Sequence, residues 1–122
     1  MPKGTAPSPT NTRPSDVAQF DVHRNLGQSR DSVPFVVIVQ SSVFDDYRRR
    51  VVVPLVKKSQ LGEVSYSRFN PTFTIERLHL VLHPLEIVSI PCDRLGERVG
   101  SLAKEGDRII DALDELMTRA HD

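Results

Sequence analysis

The stretch PFVVIVQSSVFDDYRRRVVVPL, residues 34–55, decides the fold. Its first seven residues are nearly continuous in β-branched side chains, the pattern of a strand buried on both faces. SSVFDDYRRR then breaks the run, and RVVVPL resumes it as a second strand that should end near Pro54. Proline donates nothing to a ladder, so Pro54 is expected at a strand end or a bulge. Arg48, Arg49 and Arg50 have no interleaved aromatics to suggest a phosphate-binding surface, and they read as a solvated loop leading into the second strand.

The same period-two signal extends in both directions. QFDVHR, from Gln19, should place Phe20 and Val22 inward and their charged neighbours outward. LGEVSYSRFNPTFTI reads as strand, a turn at Asn70 and Pro71, then strand; RLHLVLHP and EIVSIP follow, short and bounded by prolines. The period then changes. Ile109, Ile110, Leu113, Leu116, Met117 and Ala120 recur at helical spacing, with Gly106 marking the boundary and Asp107 as the expected N-cap. A weaker turn should begin near Ser101 or Leu102. The fold class expected is therefore mainly β with a C-terminal helix, an antiparallel sheet curled into a small barrel.

Composition narrows the function by exclusion. A chain of 122 residues with 39% hydrophobic and 26% charged residues supports one modest core. Lys plus Arg equal Asp plus Glu at 16 each, so no bulk charge draws the chain to nucleic acid or anionic lipid. No apolar stretch approaches the roughly 20 residues that span a bilayer. The single cysteine, Cys92, rules out an internal disulfide and fits a buried core position in a reducing, cytoplasmic setting. Residues 1–18 carry Pro2, Pro7, Pro9 and Pro14 and little to bury. They read either as a disordered extension or as the product of an upstream start codon, with a GTG codon at Val17 as the true start; the folded domain is then 19–122.

No residue set compels catalysis. His79 and His83 share a strand face but stand roughly 13 Å apart along it, too far for one metal ion. With Cys92 and Asp93 they make a thin ligand set, and neither a metal site nor a cofactor is expected. GERVG lacks the strand-to-helix setting of a phosphate loop, and no serine sits in a nucleophile-elbow pattern.

Three stretches taken together carry a resemblance: QFDVHRN near the start, VQSSVFDDYRRRVVVPL in the middle and RIIDALDELM near the end, with RFNP and SIPCDRLG at fitting positions between them. In this order they resemble the CcdB family of bacterial toxins, over nearly everything from Gln19 to Met117. The resemblance implies an SH3-like small barrel of the CcdB/MazF type, with a main antiparallel sheet, a lesser sheet and a C-terminal helix, paired as a homodimer. It implies a non-enzymatic toxin of a toxin–antitoxin module, of the kind that serves plasmid maintenance. Such a toxin inhibits DNA gyrase by binding its A subunit and trapping the cleaved-DNA complex. A CcdA-like antitoxin would neutralise it through a disordered segment, residues 25–32 being a candidate contact loop. DNA would be met only indirectly, when the toxin–antitoxin complex represses its own transcription.

Carried over one residue at a time, the gyrase-binding positions become Val43, Phe44, Asp114, Met117, Thr118, Arg119 and Ala120. Val43 and Phe44 keep the apolar character of the family pair, and Met117 replaces a phenylalanine with another apolar side chain. Asp114 stands where relatives have a neutral amide. Thr118, Arg119 and Ala120 depart furthest, from an aromatic, a glycine and a larger apolar residue, and His121 and Asp122 follow. Loss of one aromatic hot spot costs about 2 kcal/mol, roughly thirtyfold in affinity. Two alternatives follow: a weakened homologue that binds antitoxin without poisoning gyrase, or a MazF/Kid-type endoribonuclease recruiting His23, Arg30, Asp45 and Arg49.

Overall fold

Alternate side chains of β2 (Phe35–Ile38) enter two different apolar clusters, which is why this strand has no polar face. Phe35 and Val37 join Val22, Val53, Leu55, Leu80, Leu82 and Ile109 on one side. Val36 and Ile38 join Val17, Val52 and Leu95 on the other. The computed structural model describes residues 17–63 and 66–118. Around β2 it sets β1 (Asp21–Arg24), β3 (Arg49–Lys57), β4 (Thr72–Ile75), β5 (Leu78–Leu82), β6 (Val88–Pro91), β7 (Arg98–Ser101) and the helix α1 (Gly106–Thr118). Strand order is β4-β5-β3-β2-β1-β7, every pairing is antiparallel, and β6 also pairs with β3. The sheet curls into a half-barrel with the helix packed at its open side, as the sequence pattern and the resemblance both implied.

β3 is the spine, and it runs straight through Pro54 instead of ending there. Its first half, Arg49 to Val52, pairs with β6; its last three residues, Leu55 to Lys57, pair with β5. Pro54 falls in the gap between these two partners. Its carbonyl accepts from the His83 backbone N–H on that side, so its ring nitrogen points to the same gap, where no ladder donor is required. The proline thus marks a change of partner, which a single strand read in isolation does not reveal.

Two further expectations need correction. In β1, Val22 and Phe20 face the helix-side cluster as expected, but Asp21 and His23 are buried as well. The opposite face is covered by Val17 and the segment around Leu95, so the polar side chains there find internal partners. Asp21 accepts from the Ala18 backbone N–H and pairs with Arg98 at 3.2 Å; His23 Nδ1 donates to the Gly96 carbonyl at 2.9 Å. Val17, two residues before Gln19, is fully buried and part of the second apolar cluster. The strand expected before Asn70 does not form among the described residues: 61–63 and 66–69 lie in loop and turn, and Tyr66 is exposed. Cys92 is buried, as its sequence context suggested, and burial pushes its thiol pKa up.

At the C-terminal end a tight turn, Ala103–Glu105, precedes the helix, and the Ser101 hydroxyl accepts from the Ala103 backbone N–H. Gly106 is therefore already helical and Asp107 sits in the first turn, where its charge suits the helix dipole, instead of at the cap. Ile109 and Ala112 are buried, but Ile110 and Met117 are exposed. Gly106 is required by a close approach: a Cβ there would lie 2.7 Å from Phe20 Cε2. Phe20 is itself fixed at φ 70°, a conformation rare for a bulky residue, so its ring cannot easily withdraw. Gly106→Ala gains about 1 kcal/mol of helix propensity but forces an overlap that costs about 1–3 kcal/mol. The variant is expected to unfold at lower urea concentration than the parent, and trimming the ring with Phe20→Leu should recover part of the loss. A higher midpoint for the single variant would mean the contact is slack.

Candidate functional site

The loop between β2 and β3 exposes three large side chains close together in sequence: Val43 at 81%, Phe44 at 50% and Tyr47 at 65% of full exposure. Val43 and Phe44 ride on a single tight turn, Ser42–Phe44, whose start is capped by the Ser41 hydroxyl accepting from the Val43 backbone N–H. The Phe44 and Tyr47 rings meet edge to face with centroids 6.1 Å apart, an arrangement that favours aromatic pairs. Beside them opens a cavity of about 420 Å³ lined by Gln40, Phe44, Tyr47, Arg49, Val51 and Ser89.

Solvent-facing apolar groups on a loop normally collapse or fray; here two side chains from the flanking strands fix the backbone. Gln40 donates through Nε2 to the carbonyls of Phe44 and Arg49 and accepts the Val51 backbone N–H on Oε1. Arg50 works from the other side. Its side chain is fully buried, on the same strand face as Val52, and does not lie in solvent as the arginine run suggested. The guanidinium donates to the carbonyls of Asp45 at 2.9 Å, Tyr47 at 2.6 Å, Arg49 at 3.0 Å and Val17 at 3.3 Å, with the Asp45 carboxylate 3.6 Å away. One cation thus holds the loop and the segment at Val17 together.

The helix end is built differently. Met117 is 74% exposed and Asp114 is exposed beside it. The Thr118 hydroxyl donates back to the Asp114 carbonyl, one turn earlier, so it is engaged within the helix. Arg119 and Ala120 lie outside the described residues. α1 packs against the Pro84–Glu86 turn, whereas the loop is pinned to Gln40 and Arg50. Within one chain, then, the two groups of expected contact residues are carried by separate elements.

Residues considered for RNA cleavage do not assemble. His23 is 2% exposed and bonded to Gly96 O, Asp45 is paired with Arg50, and Arg49 is held by Ser89. Arg30 lies in the β1–β2 loop, donating to Gly27 O. Sequence reasoning passed over Tyr47, Gln40 and Arg50. The available signal for Arg50 was its period-two relation to Val52, which places both on one face of β3.

Removing the guanidinium takes a donor from four carbonyls, of which Arg49 O keeps the Gln40 amide, and strips the Asp45 carboxylate of its cation. Breaking a buried charged group out of such a network costs about 3–5 kcal/mol. Arg50→Met is expected to lose stability on that scale in urea denaturation. It should also expose Phe44 and Tyr47 to chymotrypsin in conditions where the parent loop resists cutting. A loop equally resistant in the variant would show that Gln40 suffices.

No helix among the described residues is long and apolar enough to cross a membrane. Comparison with curated proteins finds no match. A model of the family described as CcdB protein matches residues 19–118, spanning every strand, the β2–β3 loop and α1. The half-barrel with its closing helix, the residues of the loop and this match give one conclusion: the chain belongs to the CcdB family, toxins of toxin–antitoxin modules.

Proposed function

We propose that this toxin acts as a homodimer that inhibits DNA gyrase in the cytoplasm. It binds the A subunit and holds the enzyme on cleaved DNA, and the patch of Val43, Phe44 and Tyr47 provides most of the grip. The observation that carries this reading is an apolar, aromatic patch left exposed on a backbone that Arg50 and Gln40 make rigid. A preorganised patch spends little of its interaction energy on ordering when a partner covers it, and clustered exposed apolar groups of this kind mark interaction surfaces. The helix end contributes Asp114 and Met117, with Thr118, Arg119 and Ala120 supplying a weaker contact than the family's aromatic, glycine and apolar residue. Exposed Leu85, Ile87 and Val88, on and beside the turn that packs on α1, favour a second copy of the chain as cover. A CcdA-like antitoxin neutralises the dimer, and the loop at 25–32 remains the proposed contact. The toxin–antitoxin complex represses its own transcription.

A second reading, a weakened homologue that binds antitoxin without poisoning gyrase, is favoured by one observation: the Thr118 hydroxyl is turned back on its own helix and presents no ring. A ribonuclease reading is disfavoured by the burial of His23, its only proposed imidazole base. Induction in a gyrase-sensitive bacterium separates the three. The leading reading expects growth arrest with accumulated cleaved DNA; arrest with rapid RNA loss points to the ribonuclease, and no arrest to the weakened homologue.

In direct binding to the gyrase A subunit, Phe44→Ala and Tyr47→Ala should each weaken affinity roughly thirtyfold, about 2 kcal/mol. Both side chains are exposed, so the thermal midpoint should move little. Replacing Thr118, Arg119 and Ala120 by Trp, Gly and Ile, with the chain ended there, should tighten binding. If the loop variants bind as well as the parent, the patch is not the grip.

A further inference from the structure

The charge balance of the whole chain conceals a local imbalance. A cavity of about 640 Å³ is lined by Lys57, Lys58, Ser59, Gly62, Arg77, Leu78 and His79. Sheet register brings these residues together: Lys57 at the end of β3 lies opposite Leu80, which sets Lys57 and Lys58 alongside the start of β5 and the turn that holds Arg77. That turn fixes Glu76 and Arg77 at φ 51° and 66°, with the Glu76 carboxylate drawn away to Arg24 at 2.7 Å. Arg77 is left facing the cavity without its neighbour's charge.

No ion pair among the described residues engages Lys57, Lys58 or Arg77, whereas Arg24, Arg98 and Arg108 each have a carboxylate. Among the described residues no acid lines the cavity; Glu63, one residue beyond Gly62, is exposed and outside the lining. Lys58 and His79 also line an adjoining cavity of about 330 Å³, which continues past Thr72, Phe73 and Thr74 to Arg108, whose charge is paired with Glu105 at 2.9 Å. Cations concentrated without counter-charge in a concave surface focus a positive potential there.

We infer that this surface binds the phosphodiester backbone of nucleic acid, adding a direct contact to the route through the antitoxin. Two features select that occupant. Three cations without a carboxylate partner among the described residues, Lys57, Lys58 and Arg77, share the first cavity, and Lys58 carries the positive surface to the mouth of the second, which suits a chain of phosphates better than one small anion. Among the described residues Leu78 is the sole apolar one lining the first cavity, so a peptide finds no receptacle there for the buried side chains that anchor peptide complexes. No aromatic among the described residues lines that cavity either, so bases have no stacking platform there and binding is to the backbone, without sequence preference.

The test is fluorescence anisotropy of the full chain with a labelled duplex DNA of arbitrary sequence. Three neutralised phosphates give a logarithmic salt slope near −2.7, so affinity should fall about 40-fold between 50 and 200 mM salt. Lys57→Gln, Lys58→Gln and Arg77→Gln combined should abolish most of the binding and flatten that slope. Arg30→Gln, Arg94→Gln and Lys104→Gln combined, an equal change in net charge elsewhere, should leave it intact. Both triple variants need an unchanged circular dichroism spectrum, with single replacements at Lys58 and Arg77 standing in if either unfolds. Equal weakening by the two sets, binding that ignores salt, or stronger competition by polyglutamate than by unlabelled DNA would each overturn the inference. None of these outcomes depends on gyrase, so the reading of the toxin's target stands or falls separately.

Discussion

A fully buried guanidinium is the constraint on which the interaction loop depends. Arg50 cannot shed its charge, and burying a cation in a small core is costly unless its donors are satisfied. The chain satisfies them with backbone carbonyls from two separate places, the β2–β3 loop and Val17. This makes loop conformation a consequence of core packing: Arg50 shares a strand face with Val52, beneath Val17 and Leu95, so the loop cannot rearrange without disturbing that cluster. A planar fork with five donors can gather several carbonyls at once; a lysine, with one flexible ammonium, would hold fewer of them in fixed geometry.

The long strand β3 distributes this constraint. Its start carries Arg49 and Arg50 beside the loop, its middle changes partner at Pro54, and its end delivers Lys57 to the cationic cavity. Two surfaces of different chemistry, one apolar and aromatic, the other positive, are thus set at opposite ends of one rigid element. Because β2 pairs along the middle of β3 from Val52 to Leu55, the spacing between those surfaces is fixed by backbone hydrogen bonds and not by side-chain choices. Substitutions on either surface can therefore vary without altering the distance between them.

Much of this was legible in the residues, and the misses share a cause. Runs such as Phe35–Ile38 and the helical spacing of Ile109, Leu113 and Leu116 announce themselves because apolar burial is periodic. Asp21, His23 and Arg50 were read as exposed because a lone strand suggests only one covered face. What covers the second face, Val17 and the segment near Leu95, comes from distant parts of the chain. Pro54 was misplaced for the same reason: its tolerance depends on a gap between β6 and β5 that no local window contains. Among the expected contact residues, Val43, Phe44 and Met117 are exposed apolar groups. Tyr47 was passed over because nothing in the sequence states that its ring meets that of Phe44.

The two ends of the expected contact surface differ in how much order they bring. A helix end offering a threonine already bonded to its own backbone has little to give a partner without first breaking that bond. The loop presents its rings on a backbone that Gln40 and Arg50 already hold, so covering Phe44 and Tyr47 removes apolar area from water at small ordering cost. Where one chain offers both, binding energy should concentrate on the preorganised element. Under the proposed gyrase contact, the departure of the terminus from the family pattern reads as a shift of the grip along the chain, from the end of α1 to the loop that Arg50 holds.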